Sequence, residues 1–382
     1  MPDRSFLTHV LQELVRINSI NPQLVDGAPG EKEISRFIYD ILNGLGIPAE
    51  MEEIAPDRYN VTAVIKGSGK GKSLVINAHT DTVGIAHMTD PFSGTITNGR
   101  LYGRGSMDMK GSIAAMLAMA QHIAENNITL QGDLILSFVA DEEFGSIGTE
   151  HFLKDHTADA AIVTEPTSLD ICLAHKGFGL YEMTTTGKAA HGGRPDLGVD
   201  ANMHMGQILA KLDKLSETLK KTSPHPLLGV PSLHVPVING GSEPFTYAGA
   251  CNIKVERRTL PGETNEAIMA TFNNIIDELS QQDKDFKAAV KCTIWRDAFE
   301  ADQSSSIVSS LSESVHKVRK REPSYIGHHW WEDSGLFGQA GIDTVIIGPH
   351  GEGLHTTTEW VDIESVAQLS EILMQTAQQF CN

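Results

Sequence analysis

Cysteine is scarce in this chain of 382 residues, and the few that occur form no recognisable pattern. The four cysteines are widely separated, without a Cys-x-x-Cys pair: Cys172, Cys251, Cys292 and Cys381. Thiolate zinc sites and disulfide frameworks both need closely or regularly spaced cysteines. The sequence therefore predicts unpaired thiols that are buried or chemically inert.

A basic excess and long apolar runs are also absent. The 49 aspartates and glutamates outnumber the 30 lysines and arginines, which gives a formal net charge of -19. This charge repels a phosphate backbone and an anionic bilayer, so we expect neither nucleic acid nor a membrane as a partner. Residues 1–21 contain charged side chains throughout and no apolar core of the signal-peptide type. A cytoplasmic location is the default expectation.

Three common catalytic signatures are missing as well. The Gly-rich segment 67–72 imitates a phosphate-binding loop, but Lys66 stands where the first glycine of that motif is required. The segment also precedes an apolar run instead of following one. The chain contains no Gly-x-Ser-x-Gly and no His-Glu-x-x-His motif. These absences argue against the usual nucleotide-binding, serine-hydrolase and single-zinc protease classes.

Apolar runs of strand length alternate with segments of helical periodicity over the first part of the chain. Such alternation predicts an α/β fold, with a mostly parallel mixed sheet flanked by helices. The predicted helices are 6–17, 31–45 and 112–124, and the predicted strands are 60–66, 73–78, 133–140 and 160–164. Ligands of such folds bind at the carboxyl ends of the strands.

The pattern changes at about residue 176. Residues 177–296 have the order strand, helix, strand, strand, helix, strand, and none of these strands ends in an acid. Helical and strand patterns of the first kind return at 304–319, 344–347 and 363–379. Since 382 residues suggest about two domains, we predict a discontinuous domain of residues 1–175 and 298–382. An inserted α+β (βαββαβ) domain would occupy residues 176–297.

Five side chains suited to metal binding stand at or near the ends of apolar runs: His79, Asp108, Glu143, Glu165 and His355. Imidazole combined with carboxylate oxygens suits a pair of zinc-like divalent ions. The spacing of the runs predicts strands that converge on one pocket. Taken singly, most of the five fit an ordinary loop or strand end better, and only their joint order favours a metal site.

Neighbouring acids strengthen the metal hypothesis. In His79-Thr80-Asp81 the two polar side chains point to the same side of an extended chain, so Asp81 can accept a hydrogen bond from one ring nitrogen. Asp108 lies in the glycine-rich segment 103–111, where a bidentate carboxylate could bridge two cations. The three carboxylates of 141–143 are costly unless cations balance them or they face water. A solvated acidic loop is the alternative.

These motifs, in this order, resemble the acetylornithine deacetylase and succinyl-diaminopimelate desuccinylase family, which also includes aminoacylases and carboxypeptidase G types. The matching segments are His79-Thr80-Asp81, 103–111, 141–143, 164–166 and 355–360. The resemblance implies two zinc ions, with cobalt as a substitute, and a cis peptide after Asp108. It further implies that Asp108 bridges the ions, with His79 and Glu165 on one and Glu143 and His355 on the other.

The resemblance also implies catalytic roles. Glu142 would be the general base that takes a proton from a water activated by the two ions and passes it to the leaving amine. His191, in the segment 187–195, looks like the family's lid histidine, which supports the oxyanion and can come from the partner subunit of a dimer. The alternative for His191 is a structural histidine in a glycine-rich loop.

Substrate recognition is where the sequence departs from the family pattern. Arg258 resembles the lid arginine that holds a substrate carboxylate, although a strand-end salt bridge is the alternative. Phe245 falls where the family's substrate-contacting Asn is usual, and Glu256 falls where an Asp is usual. The aromatic segment 328–331 could line an acyl pocket or pack against the core.

The resulting prediction is metal-dependent hydrolysis of the amide bond of a small N-acyl amino acid, with acetylornithine-type deacetylation as the leading candidate. A homodimer through the inserted domain is expected. A dipeptidase or carboxypeptidase with the same metal centre is the main alternative. A metal-free relative that only binds an amino acid is disfavoured, because every ligand position and Glu142 carry the required residue type.

Overall fold

A computed structural model describes residues 3–382 of the chain. This part of the chain forms two compact units. The first unit holds the described residues up to Leu173 together with Ala301–Ile326 and Glu332–Asn382, and the second holds Ala174–Glu300 and Gly327–Trp331. Whether these units are independent domains with the predicted boundaries stays a proposal.

One segment is grouped differently from the prediction. Gly327–Trp331 belongs to the second unit, whereas the predicted boundary assigned it to the first. The reason is local hydrogen bonding: the Lys176 N–H donates to the His328 carbonyl at 3.1 Å, and the Trp331 indole donates to the Asp297 carbonyl at 3.1 Å.

Helices and strands follow the predicted alternation closely. The helices are α1 (Arg4–Arg16), α2 (Lys32–Gly44), α3 (Gly111–Glu125), α4 (Ile147–Asp155), α5 (Ala201–Leu219), α6 (Asn265–Gln282), α7 (Ser306–Arg319), α8 (Ser334–Gln339) and α9 (Ile363–Phe380). The strands are β1 (Ala49–Ala55), β2 (Arg58–Ile65), β3 (Leu74–His79), β4 (Thr95–Thr97), β5 (Arg100–Tyr102), β6 (Leu134–Val139), β7 (Ala160–Val163), β8 (Ile171–His175), β9 (Gly177–Thr186), β10 (Ser232–Gly240), β11 (Ala250–Thr259), β12 (Ala288–Arg296), β13 (Phe299–Glu300), β14 (Tyr325–His328), β15 (Asp343–Ile346), β16 (Gly351–Glu352) and β17 (Trp360–Asp362).

The first unit contains a mixed sheet with the strand order β1-β2-β6-β3-β7-β15-β8. Its four central strands, β6, β3, β7 and β15, are parallel, and the strands outside them pair antiparallel. All six residues of β3 are buried, as is typical of a strand covered on both faces. The predicted α/β class, a mixed sheet flanked by helices, is confirmed.

Parallel pairing brings the ends of three central strands to one edge of this sheet. His79, the last residue of β3, lies opposite Val139 at the end of β6. Asn77 of β3 lies opposite Val163 at the end of β7. The residues that follow β6 and β7 therefore start beside His79.

Helix α3 forms the centre of the helical packing. It contacts α1 and α9, and α9 also contacts α7. Eleven consecutive residues of α3, from Gly111 to Gln121, are buried. The outer helices begin at side-chain caps: Asp3 accepts from the Ser5 N–H for α1, and Asp362 accepts from the Ser365 N–H for α9. Within residues 3–382, no helix is long and apolar enough to cross a bilayer.

The second unit is a four-stranded antiparallel sheet, ordered β10-β11-β9-β12. Buried and half-buried residues alternate along β9, which is the pattern of a sheet with one covered face. The covered face packs on α5 and α6 through a core that includes Tyr181, Ile208 and Phe272. The element order is strand, helix, strand, strand, helix, strand.

A small sheet with the order β16-β17-β5-β4 has no counterpart in the sequence predictions. Its strands have two or three residues each, which is too short for periodicity to be detected. Its pairing sets Trp360 opposite Tyr102. The four cysteines are free thiols, of which Cys172, Cys251 and Cys381 are buried.

Candidate metal centre

His79 occupies the carboxyl end of β3 and is buried. Its Nε2 atom lies 2.9 Å from Asp108 Oδ1 and 3.6 Å from Glu165 Oε1. Burial favours the neutral ring, but the hydrogen bonds to Asp108 and Asp81 outweigh this effect and raise the pKa of His79. One imidazole nitrogen thus faces two carboxylates that come from different segments.

Asp108 offers one carboxylate oxygen to each of two histidines. Oδ1 lies 2.9 Å from His79 Nε2, and Oδ2 lies 3.3 Å from His355 Nε2. Burial alone would favour the protonated acid, but the bonds to His355 and His79 outweigh it and hold the Asp108 pKa below its usual range. The peptide bond between Asp108 and Met109 is cis, as the family resemblance implies. A carboxylate in this position can bridge two cations.

His355 completes the second half of the cluster. Its Nε2 atom lies 3.2 Å from Glu143 Oε2, and its side chain remains 54% exposed. Hydrogen bonds to Asp108 and Glu143 raise the pKa of His355 to about 10. The backbone of His355 has a φ of 56°, a left-handed conformation that non-glycine residues seldom adopt.

Carboxylates outnumber imidazoles in this buried cluster. Burial, followed by the charge of Glu165, raises the pKa of Glu142, and burial followed by the charge of Asp108 raises the pKa of Glu165. Burial and the charge of Asp108 raise the pKa of Glu143 to about 7. One oxygen of Glu143, Oε1, is buried without a hydrogen-bond partner. Cations bound between the side chains would lower the pKa values of these carboxyl groups and give Glu143 Oε1 a partner.

The spacing of the donor atoms fits such cations. Ligand atoms around a tetrahedral zinc ion lie roughly 3.3 Å apart, and the four imidazole–carboxylate distances here range from 2.9 to 3.6 Å. Among residues 3–382, two groups have donor atoms within 4.8 Å of one another: His79 with Asp108 and Glu143, and His79 with Glu142 and Glu165. The Glu142 carboxylate therefore faces the cluster together with the expected ligands.

Asp81 holds His79 in a slightly different way from the prediction. The nearest acceptor for His79 Nδ1 is the Asp81 main-chain carbonyl at 3.0 Å, and the carboxylate oxygen Oδ1 lies 3.5 Å away. Other donors orient the carboxylate: the main-chain N–H groups of Glu142 and Glu143 donate hydrogen bonds to it at 3.1 and 3.2 Å. Asp81 thus connects β3 to the turn after β6.

Asp141 does not share the role of its two neighbours. Its Oδ1 atom accepts hydrogen bonds from Arg58 at 2.8 Å and Asn21 at 2.9 Å. Arg58 also binds Glu31 through two hydrogen bonds of 2.6 and 2.7 Å. The interpretation that cations balance all three acids of 141–143 is therefore wrong for Asp141, whose charge is balanced by a buried arginine.

Asn21 and Arg58 are functional-site neighbours that the sequence interpretation missed. The Asn21 amide donates to Asp81 at 2.8 Å as well as to Asp141, so it joins the two acids that flank the metal-type cluster. Neither residue lies in an apolar run that ends in a ligand. Their contacts span 60 and 83 positions of sequence, and no local pattern marks them.

In the second unit, His191 and Phe245 lie on two adjoining loops. The Gly192 N–H donates to the Phe245 carbonyl at 2.7 Å, and His191 pairs with Thr246. The Gly193 N–H donates to His191 Nδ1 at 3.0 Å, which leaves Nε2 as the donor of the neutral ring. Phe245 is 79% exposed. Main-chain pairing thus places a histidine and an exposed phenylalanine on adjoining loops.

Arg258 lies on β11 of the second unit, over the ring of Phe178 on β9. Its Nε atom lies 2.5 Å from Glu256, which also lies 3.1 Å from His234. Within the described residues, the terminal nitrogens of Arg258 donate no hydrogen bond, so the side of the guanidinium suited to a carboxylate has no partner there. Arg258 can therefore keep the ion pair with Glu256 through Nε and bind a carboxylate through its terminal nitrogens.

The aromatic segment 328–331 divides into a packed and an exposed part. Trp331 contacts Phe178 edge-on at 6.4 Å, and its indole N–H is bound to Asp297. Trp330 stacks on His328 at 4.4 Å and is 41% exposed. Trp331 is thus packed inside the second unit, while Trp330 and His329 are exposed.

Comparison with known proteins gives a consistent family assignment. Residues 75–379 match the sequence profile of peptidase family M20/M25/M40. The chain is 30% identical to an acetylornithine deacetylase of Myxococcus xanthus over 351 residues, which cover 89% of this chain and 90% of that protein.

Two further proteins show the breadth of the similarity. The chain is 28% identical to the N-formyl-4-amino-5-aminomethyl-2-methylpyrimidine deformylase of Bacillus subtilis over 380 residues, which cover 91% of this chain and 89% of the relative. The crystal structure of aminopeptidase PepT from Bacillus cereus has the same fold, with a TM-score of 0.82, full coverage of both chains and 19% identity.

Proposed function

This chain belongs to peptidase family M20/M25/M40 and is a hydrolase, and from that premise we propose that it removes the acyl group of a small N-acyl amino acid in a metal-dependent reaction. The observation that carries the proposal is the Asp108 carboxylate, which offers one oxygen to His79 and the other to His355. Around it lie the carboxylates of Glu142, Glu143 and Glu165.

Two divalent ions fit the donor atoms of this cluster. His79 and Glu165 would hold one ion, Glu143 and His355 the other, and Asp108 both. Zinc is the expected metal because it accepts mixed imidazole and carboxylate ligands, and cobalt is the expected substitute. When bound, such ions supply positive charge that acidifies a water and polarises the scissile carbonyl.

The protein's own side chains would move the proton and hold the substrate. Glu142 takes a proton from the attacking water and delivers it to the nitrogen of the departing amine. His191 donates its Nε2–H to the developing oxyanion, in line with the Nδ1 hydrogen bond from Gly193. Arg258 binds the substrate carboxylate through its terminal nitrogens, and Phe245 supplies an apolar contact.

The leading substrate is N-acetylornithine or a close analogue. The relative from Myxococcus xanthus, an acetylornithine deacetylase, supports this choice. The similarity to aminopeptidase PepT keeps a dipeptidase or carboxypeptidase as the second candidate, because the proposed metal centre would serve either bond. The deformylase relative adds a formylated aminomethylpyrimidine as a third compound to test.

Turnover measured on a substrate panel tests the proposal. The metal-replete protein is expected to release amine from N-acetylornithine faster than from other acyl amino acids, dipeptides or the formylated pyrimidine. A strong chelator should abolish the activity, and added zinc or cobalt should restore it. Cleavage confined to dipeptides would overturn the deacetylase assignment while keeping the metallohydrolase assignment.

Metal content separates an enzyme from a relative that only binds amino acids. We expect elemental analysis of the metal-replete protein to find about two ions per chain, because the cluster offers ligands for two. A protein that held no metal and hydrolysed none of the panel, yet bound an amino acid in calorimetry, would be the binding relative instead.

A cytoplasmic location remains a prediction from the sequence.

A homodimer through the second unit is the expected assembly. Strand β10 is an edge of the four-stranded sheet, it contains Pro236, and it exposes Val237 and Ile238, the latter to 55%. Proline is confined to edge strands, and an exposed apolar edge can pair with a second copy.

We expect Ile238→Lys to shift the protein from dimer to monomer, because a charge on this edge opposes pairing. Sedimentation or light scattering at micromolar concentration measures the mass. Ile294→Lys is the matched control, since Ile294 is 42% exposed on β12, the opposite edge strand. If only the Ile294 variant dissociated, the interface would lie at β12.

A further inference from the structure

Glu359 is a buried carboxylate with no role in the proposed chemistry. It is 1% exposed and lies four positions after His355. It accepts three main-chain hydrogen bonds from one segment: Gly105 N–H at 2.9 Å, Met107 N–H at 2.9 Å and Asp108 N–H at 3.1 Å. The last of these donors belongs to the residue that faces both histidines.

Arg104 balances the charge of Glu359 and is equally buried. Its NH1 atom donates to Glu359 at 2.6 Å, and NH2 donates to the Thr356 carbonyl at 2.8 Å. Its Nε atom donates to the Gly84 carbonyl at 3.0 Å. The guanidinium therefore binds the residue next to His355 and the carboxylate that holds Asp108.

These bonds connect two segments that are about 250 positions apart in the sequence. The segment 103–108 carries Asp108, and the segment 355–359 carries His355. The short pairing of β5 with β17 brings the segments together at one end, where Gly103 N–H donates to the Glu359 carbonyl at 3.1 Å. Glu359 and Arg104 continue the connection up to the two metal-type side chains.

The buried ion pair of Arg104 and Glu359 is a poor means of stabilising the fold. Burying a carboxylate and a guanidinium costs the hydration free energy of each ion, and their attraction often does no more than offset it. Three converging N–H groups also fix a backbone that would otherwise be free to rotate around its glycines. Geometry of this kind is what a metal site needs, because ligands must be held to within about 0.5 Å.

We propose that Glu359 is a positioning residue that, with Arg104, sets the separation of Asp108 from His355 and thereby the affinity of the ion held by His355 and Glu143. This inference rests on the proposed metal-dependent function. The other ion depends less on Glu359, because His79 and Glu165 are placed by the ends of β3 and β7.

The test is metal binding by Glu359→Gln, measured by calorimetric zinc titration and by elemental analysis after dialysis. The amide keeps the size of the side chain but cannot accept all three N–H groups and pair with Arg104. We expect the affinity for one ion to fall by about 10–100-fold, as is usual when an outer partner of a metal ligand is removed. The second ion should remain within a few-fold of the wild-type affinity.

Glu263→Gln is the matched control. Glu263 is paired with Arg257, a buried arginine of the second unit, so the same chemical change is made beside the same kind of partner. A general loss of stability should affect both variants, whereas selective loss of one ion should occur only in Glu359→Gln. If both variants bound two ions with wild-type affinity, Glu359 would not be a positioning residue.

Arg104→Lys provides a second variant in case Glu359→Gln fails to fold, because it keeps the charge beside Glu359 while it loses the bond to the Thr356 carbonyl. The expected result is a weakening of the same ion, and equal weakening of both ions would overturn the inference. A wild-type protein that bound no metal would refute the proposed function itself, which makes the two failures distinguishable.

Discussion

Glu142→Gln is expected to lower kcat by about 100- to 10,000-fold, the usual contribution of a general base, while about two ions per chain remain bound. The reason is that Gln keeps the shape of the side chain but cannot accept a proton from water. Steady-state kinetics on N-acetylornithine gives kcat, and elemental analysis of the same sample gives the number of bound ions.

The neighbouring residue supplies the matched control for this experiment. Glu143 has the same side chain, and its Oε2 atom lies 3.2 Å from His355, so Glu143→Gln should weaken one ion. The Glu142 carboxylate also lies within 4.8 Å of donor atoms of His79 and Glu165, so the metal content of Glu142→Gln distinguishes a base from a ligand. Loss of an ion from Glu142→Gln would reassign it as a ligand, and normal turnover would remove it from the mechanism.

Asp108→Ala should have the broadest effect on the metal centre. Both of its oxygens face a histidine, at 2.9 and 3.3 Å, so its loss removes a ligand from both proposed ions. We expect weaker binding of each ion by more than the roughly 10–100-fold caused by losing an outer partner. Activity should fall to background at limiting zinc, and elemental analysis after dialysis should find well under two ions per chain.

Asp133→Asn is the control for the loss of an aspartate carboxylate. Asp133 lies just before the amino end of β6, the strand whose carboxyl end leads to Glu142. It pairs with Lys66 at the surface, and its side chain is 31% exposed. Its metal content should equal that of the wild type. If Asp108→Ala retained two tightly bound ions, the bridging assignment would be wrong, and the ligands of each ion would have to be sought elsewhere.

Much of the first unit was predictable because its signals are local. Apolar runs of strand length, separated by helical periodicity, indicated the parallel centre of the sheet, and parallel strands bring their carboxyl ends together. His79 and the acids after β6 and β7 therefore fell at one edge, as expected. The strand β2 was predicted, but its antiparallel pairing with β6 was not, because periodicity does not give the direction of pairing. The small sheet around β5 and β17 was not predicted either, since strands of two or three residues leave no periodic pattern.

The candidate site was predictable as a set of residues but not as a set of contacts. Asp141, Glu142 and Glu143 look alike in the sequence, yet Asp141 turns to Arg58 while its neighbours face the histidines. The backbone of Asp141 has a left-handed φ of 73° and leads into the turn 142–145, so side chains that are adjacent in sequence point in different directions. The ligand assignment to individual ions stays a prediction.

The fold class and the kind of chemistry follow from the order of the amino acids, because strand-length apolar runs and the residues that end them are local features. Which charges pair with one another follows from the folded chain alone. Arg104 and Glu359 are 255 positions apart and become partners through the pairing of two three-residue strands. Asn21 reaches Asp81 and Asp141 in the same way. Buried polar groups must find partners wherever the folded chain supplies them, and that choice is made in space instead of along the sequence.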